Sequence, residues 1–178
     1  MRNCIKQIVA ALVLSLLPVL ANAQGPVSEV RGGIYSHDID FVSFNREDGV
    51  DLNAEVLFEA PDILQSLWSP RPHVGATVNT EGNTSFYYGG FTWEWDFLDN
   101  YFVDANLGGA LHDGRNVTDD PDRKSMGSDV LFRLGAALGY RLNENYNISL
   151  QVEHYSNAGT GAANEGLDTL GLRVGYRF

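Results

Sequence analysis

The sequence predicts an all-β fold, an eight-stranded antiparallel transmembrane β-barrel of the bacterial outer membrane. Three observations point there. From residue 27 onward, eight segments alternate apolar and polar side chains with period two, as strands with one greasy face do. An export signal precedes them, and no later stretch approaches the ~18 consecutive apolar residues of a membrane-crossing helix. The final segment runs straight to an aromatic residue, Phe178, in the manner of the closing strand of bacterial outer-membrane proteins.

Residues 1–23 read as a secretory signal peptide. Arg2 and Lys6 give the positive start, residues 8–20 the short apolar core, and Ala21-Asn22-Ala23 the small-x-small cleavage step. The sole cysteine, Cys4, leaves with that segment, so the barrel domain expected over 24–178 has neither disulfide nor thiol chemistry. It keeps 10 basic residues against 23 acidic ones. Such an excess of negative charge argues against nucleic acid as a partner, since binding phosphates rests on Lys and Arg.

The alternating segments are roughly 27–37, 50–58, 73–80, 84–97, 101–112, 129–142, 145–156 and 167–178. In the fourth, Tyr87, Phe91, Trp93, Trp95 and Phe97 oppose Thr84, Thr92, Glu94 and Asp96. In the sixth, Val130, Phe132, Leu134, Ala136, Leu138, Tyr140 and Leu142 oppose Arg133, Gly135, Gly139 and Arg141. A secreted soluble β-sandwich alternates too, but two features favour lipid. The polar faces carry opposite charges (Glu29, Arg31, Glu55, Asp104, Arg133, Arg141 and Glu153), which suits a narrow, filled lumen. Aromatics gather near strand ends, at Tyr87, Trp93, Trp95, Phe97, Tyr101, Tyr140, Tyr146, Tyr176 and Phe178, as in an interfacial girdle.

With both ends on the periplasmic side, the links at 98–100 and 143–144 become short inner turns. Residues 38–49, 113–128 and 157–166 become long outer loops, the asymmetry usual in such barrels. The connection from Glu59 to Pro72 breaks that rule. Its Leu64, Leu67 and Trp68 suggest a short amphipathic turn at the membrane edge.

Chemistry concentrates at the outer end of the seventh strand, in Val152-Glu153-His154-Tyr155-Ser156-Asn157-Ala158-Gly159. The alternation of Tyr146, Ile148, Leu150 and Val152 carries His154 and Ser156 onto the lipid-facing side. Two polar residues thus extend an apolar stripe, close enough for an imidazole to activate a hydroxyl. On the eighth strand, stepping back by twos from Tyr176, Val174, Leu172 and Leu170 reaches Asp168. This acid begins its strand near where the histidine and serine end theirs, and it can orient the imidazole. Glu165 is the rival acid, with the wrong parity or a place in the loop. Polar residues at a strand end are often merely interfacial, so this pattern alone leaves a function open.

These residues resemble the outer-membrane lipid A 3-O-deacylases, the PagL-type family. The resemblance covers the signal peptide, the length, the eight-strand layout and above all the last 25 residues. There His-x-Ser-Asn-Ala-Gly is followed by a short loop, Asn164-Glu165-Gly166-Leu167, and by Asp168, fourteen positions after the histidine. It implies Ser156 as nucleophile, His154 as general base and Asp168 as orienting acid. Gly159, through its N–H, and Asn164, through its side chain, are the implied oxyanion donors. One departure is at the acid, where a member of the family has glutamate and this chain the shorter aspartate.

The implied activity is that of a serine esterase hydrolysing the ester-linked acyl chain at position 3 of lipid A, in the lipopolysaccharide of the outer leaflet. It needs no cofactor and no metal, because the histidine moves the proton. Arg115, Arg123 and Lys124 are candidates for meeting lipid A phosphates. Asp119, Asp120 and Asp122 match no cation-loop spacing, and His37, His73 and His112 lack a serine partner. Two other readings stand beside the deacylase: a non-enzymatic barrel, structural or binding through its loops, and another lipid-active barrel such as a phospholipase or acyltransferase.

Overall fold

A computed structural model describes residues 26–178; the signal peptide expected at 1–23 lies outside them. Eight antiparallel strands close into a barrel, each bonded to its neighbour in sequence and the last to the first. They are β1 (Val27–Ser36), β2 (Val50–Phe58), β3 (Arg71–Asn79), β4 (Phe86–Phe97), β5 (Tyr101–His112), β6 (Val130–Arg141), β7 (Tyr146–Ser156) and β8 (Leu167–Arg177). The strands match the alternating segments within about two residues at each end. The largest differences, two residues each, are at the starts of β3 and β4, and at β3 Pro72 obscures the pattern. Arg71 already belongs to the ladder, opposite Thr92, and its guanidinium turns inward to Glu29 and Glu94 at 2.7 and 2.6 Å.

Parity divides the side chains as the alternation requires. Outward positions stay uncovered by protein, for example Leu172 at 68% and Ile34 at 62% exposure. In water a continuous apolar belt of this kind is untenable for a small monomer, whereas in a bilayer it meets acyl chains. Inward positions hold a packed ionic core. Arg31 reaches Glu29 at 2.7 Å and Asp104 at 2.6 Å. Arg133 lies between Glu153 at 2.5 Å and Glu55 at 3.3 Å, with its guanidinium 3.8 Å above the ring of Tyr88. Arg173 completes the cluster at 3.1 Å from Glu55. Charges removed from water persist only when paired, so this mutual pairing lets side chains of both signs fill the lumen. Aromatic rings fill the remaining space by lying against glycines, as Tyr35 does, within 2.5 Å of where a Cβ on Gly171 would stand.

One rim carries a ring of aromatics. Phe97–Tyr101, Tyr101–Tyr140, Tyr146–Tyr176 and Tyr176–Phe178 have centroids 5.0 to 5.8 Å apart, the belt expected at a membrane interface. Trp93 departs from the expected girdle. It sits well inside β4, and its indole Nε1 donates to the Leu67 carbonyl at 2.8 Å. That carbonyl belongs to a 3-10 helix, η1 (Asp62–Leu67), in the connection between β2 and β3. Because β3 begins opposite Thr92 while β4 runs on to Phe97, the lower part of β4 has no β3 partner, and η1 lies against it.

Candidate active site

At the opposite rim, β7 and β8 meet in a register that pairs His154 directly with Asp168 and Tyr155 with Leu167. Tyr155 fixes that register from the lumen side. It stacks on Phe86 at 3.8 Å in a buried cluster with Met126, Leu131 and Leu167, and its hydroxyl donates to Glu153. With Tyr155 held inward, the pleat turns both of its neighbours, His154 and Ser156, outward.

His154 Nδ1 lies 2.6 Å from Asp168 Oδ1. A carboxylate only accepts, so Nδ1 carries the hydrogen, and in a neutral imidazole the lone pair is then on Nε2. Direct cross-strand pairing lets the short aspartate side chain make this contact. Gly166, at φ +66, keeps the neighbouring backbone clear; a Cβ there would stand 3.1 Å from His154 Cε1.

The other oxygen of Asp168 is held by the first outer loop, residues 37–49. Oδ2 accepts the backbone N–H of Val42 at 2.7 Å and of Ser43 at 2.6 Å, and the Ser43 hydroxyl at 2.9 Å. Ile39 N–H also donates to the Asp168 carbonyl at 2.9 Å. The acid is thereby fully buried, while the imidazole it holds stays partly open. No sequence pattern marked Val42 or Ser43, which lie some 125 positions from the residue they hold.

That loop is itself clamped. Asp38 accepts the N–H groups of Arg46 and Glu47 at 2.7 and 2.9 Å and pairs with Lys124 Nζ at 3.0 Å. Glu47 receives Thr84 N–H, Lys124 N–H and His37 Nε2 at 2.8, 3.0 and 3.2 Å, and His37 Nδ1 meets Asp51 at 2.9 Å. Burial alone would lower the His37 pKa, but hydrogen bonds to Asp51 and Glu47 outweigh it and push it up to about 9. Lys124, a candidate for lipid A phosphates, is instead almost wholly buried in this clasp, because the carboxylate of Asp38 claims its ammonium. Arg123 stays at the surface, donating to the Gly82 carbonyl at 3.2 Å. Glu165, the rival acid, faces away from His154. It accepts Ser125 N–H at 2.6 Å and pairs with Arg46 at 3.0 Å.

Ser156 shares the outward face with His154, opposite Phe132 on β6. Among the described residues no hydrogen bond joins its hydroxyl to the imidazole. Two residues along a strand span about 6.6 Å, so a rotamer change and a bound substrate are what would bring the two groups together. The loop beyond is organised by buried Asn157, whose amide donates to the carbonyls of Met126 and Ala163 at 2.8 and 2.5 Å. Gly159 N–H donates to Asn157 Oδ1 at 2.8 Å. Asn164 Oδ1 accepts Asn157 N–H at 3.0 Å, which leaves the Asn164 amide nitrogen available as a donor.

Over 84 residues the chain is 30% identical to the lipid A deacylase PagL of Bordetella bronchiseptica, a match spanning 47% of this chain and only 45% of that relative. The barrel is similar to the crystal structure of the outer membrane enzyme PagL, with TM-score 0.63 and 17% identity over 85% of this chain and all of that one. It also resembles Neisserial surface protein A, with TM-score 0.55 and 12% identity over 84% of this chain and 96% of the other. At such identities these two likenesses speak for the fold, an outer-membrane barrel. The sequence model of the lipid A 3-O-deacylase (PagL) family matches residues 62–177, which include His154, Ser156 and Asp168, and on that match this chain belongs to the PagL family of outer-membrane β-barrels.

Proposed function

We propose that this barrel is a lipid A 3-O-deacylase, a serine esterase that removes the acyl chain ester-linked at position 3, with Ser156, His154 and Asp168 as its triad. The observation that carries the reading is the His154–Asp168 pair, 2.6 Å apart, on the lipid-facing side of the barrel with a serine two residues along the same strand face. A partly open imidazole backed by a buried carboxylate is costly ornament on a membrane surface, but it is what a serine nucleophile requires.

In this mechanism His154 Nε2 takes the Ser156 proton as Oγ attacks the ester carbonyl carbon. The tetrahedral intermediate collapses when the imidazolium returns that proton to the departing sugar oxygen, leaving the acyl group on Ser156. Water, deprotonated by the same nitrogen, then releases the fatty acid and restores the serine. Charge on the carbonyl oxygen is met by the Asn164 amide and by Gly159 N–H, the latter exchanging its bond to Asn157 for one to the substrate. The outer rim suits this chemistry, since lipid A occupies the outer leaflet and presents its ester near the headgroup boundary.

The test uses the purified, refolded barrel with lipid A and, separately, with phospholipid. Release of a hydroxy fatty acid from lipid A alone supports the deacylase. Release from phospholipid would point to a phospholipase, and no release from either to a non-enzymatic barrel.

A further inference from the structure

The outward row at the level of the catalytic pair runs Leu107, Leu134, His154 and Asp168 across β5, β6, β7 and β8, each paired with the next. Leu107 and Leu134 belong to the lipid-facing belt, five and four residues inside the outer ends of their strands. At about 3.3 Å per residue, Leu134 therefore lies about 13 Å along its strand from the rim. Asp168 shares that outward face, yet it is fully buried, because the first outer loop leaves β1 beside β8 and folds over the outside of the wall. There Val42 N–H, Ser43 N–H and the Ser43 hydroxyl close on Oδ2. An ionised carboxylate turned toward acyl chains is untenable without such a cover.

The cover is apolar on its far side. Phe41, Val42 and Phe44 are 68, 67 and 83% exposed, whereas Ser43 among them is buried against Asp168. Phe41 borders the same outer-face hollow as Leu107, Leu134 and His154, so this side chain stands beside belt residues and not above the barrel mouth. Exposed polar residues flank the tip, Asp40 on one side, Asn45 and Arg46 on the other. Behind the tip the loop is tied to the barrel, where Lys124 Nζ donates to the Phe44 carbonyl and pairs with Asp38 at 3.0 Å. Apolar side chains carried outward on a held backbone, between polar shoulders, suit a segment seated at the boundary of headgroups and acyl chains.

We infer that the first outer loop is a strap seated in the outer leaflet: Phe41, Val42 and Phe44 lie among the acyl chains of bulk lipid, and that contact keeps Ser43 pressed on Asp168. The occupant follows from continuity with the apolar belt, since Leu107 and Leu134 beside Phe41 already face hydrocarbon. In lipid the three side chains leave water only while the tip stays down, so the hydrophobic effect holds it against the wall. When the tip lifts, Oδ2 loses all three donors at once and His154 loses its fixed partner. Lipid contact thus reaches the triad through Asp168, and Phe41, Val42 and Phe44 are positioning residues. The effect on catalysis rests on the deacylase reading, whereas the seating of the strap does not.

Two measurements test it. The barrel of residues 24–178 has no cysteine, so Val42→Cys and Phe44→Cys each carry a single nitroxide label in phosphatidylcholine vesicles free of lipid A. Asp120→Cys, in the third outer loop, is the water-exposed reference. Both strap labels are expected to collide more with dissolved oxygen than with a water-soluble nickel chelate, and the reference label to do the reverse. Strap labels that match the reference overturn the seating. Strap labels shielded from both reagents overturn it too, because another protein or a second copy of the chain then covers the tip. In the second measurement, the double variants Phe41→Ser with Phe44→Ser and Phe41→Leu with Phe44→Leu, each shown to be folded by heat-modifiable gel mobility, are compared with wild type. The serine pair is expected to lower kcat on lipid A about ten- to a hundredfold with a smaller change in KM. It is also expected to broaden the NMR resonance of the His154 Nδ1 proton through exchange with water, and the leucine pair to restore both. A folded serine pair that keeps the wild-type resonance overturns the coupling to Asp168, even in a barrel that hydrolyses nothing, and wild-type kcat in that pair overturns it in an active one.

Discussion

Ser43 donates both its backbone N–H and its hydroxyl to one oxygen of Asp168, at 2.6 and 2.9 Å. The first outer loop is therefore part of the site, holding the carboxylate that holds the imidazole. Ser43→Ala removes one charge-assisted bond and leaves the two backbone donors. A stability loss of about 1–3 kcal/mol is expected, with a smaller fall in esterase rate than any triad change. Denaturant midpoints of the refolded barrel and rates on lipid A check both.

Substitutions of the acid should separate charge from length. Asp168→Asn keeps the shape but cannot fix the imidazole tautomer, so the rate should fall on the order of 10³- to 10⁴-fold. Asp168→Glu adds a methylene at a fully buried position whose oxygens are already held by His154, Val42 and Ser43. Overpacking of about 1–3 kcal/mol and a reduced rate are expected. Rate and denaturant midpoint of both variants provide the check.

The outer clasp gives a pH dependence with a definite sign. His37 has its pKa pushed up to about 9 by Asp51 and Glu47 against the effect of burial. A group raised in the folded state contributes its full stabilisation below its unfolded pKa of about 6.5 and loses it as pH rises through the folded value. The clasp should therefore weaken from about pH 6.5 and lose its charge by pH 9 to 10, a change on the order of 3 kcal/mol. Thermal melts from pH 6 to 10 are expected to fall in wild type and to be flatter in His37→Gln.

Arg133 tests the lumen. Its guanidinium serves Glu55 and Glu153 and covers Tyr88, so Arg133→Ala strands buried carboxylates. A loss of about 3–5 kcal/mol is expected, read as a lower denaturant midpoint of the refolded barrel.

Parity made the fold and much of the site readable in advance. Period two placed Leu170, Leu172 and Val174 outward, and the same count carried Asp168, His154 and Ser156 to one face. Contacts that cross the barrel left no such trace. Val42 and Ser43 sit in a loop without a motif. Lys124 looks like any solvated loop lysine until Asp38 is brought beside it. Trp93 shares its parity with the girdle aromatics, and only the stagger between β3 and β4 sets it against η1.

The most direct measurement is the lipid A mass spectrum of cells expressing the chain. Wild type is expected to yield lipid A lacking one hydroxyacyl group, and Ser156→Ala to leave it intact. Unmodified lipid A around a folded wild-type barrel, or deacylation that survives loss of the Ser156 hydroxyl, would contradict the proposed triad.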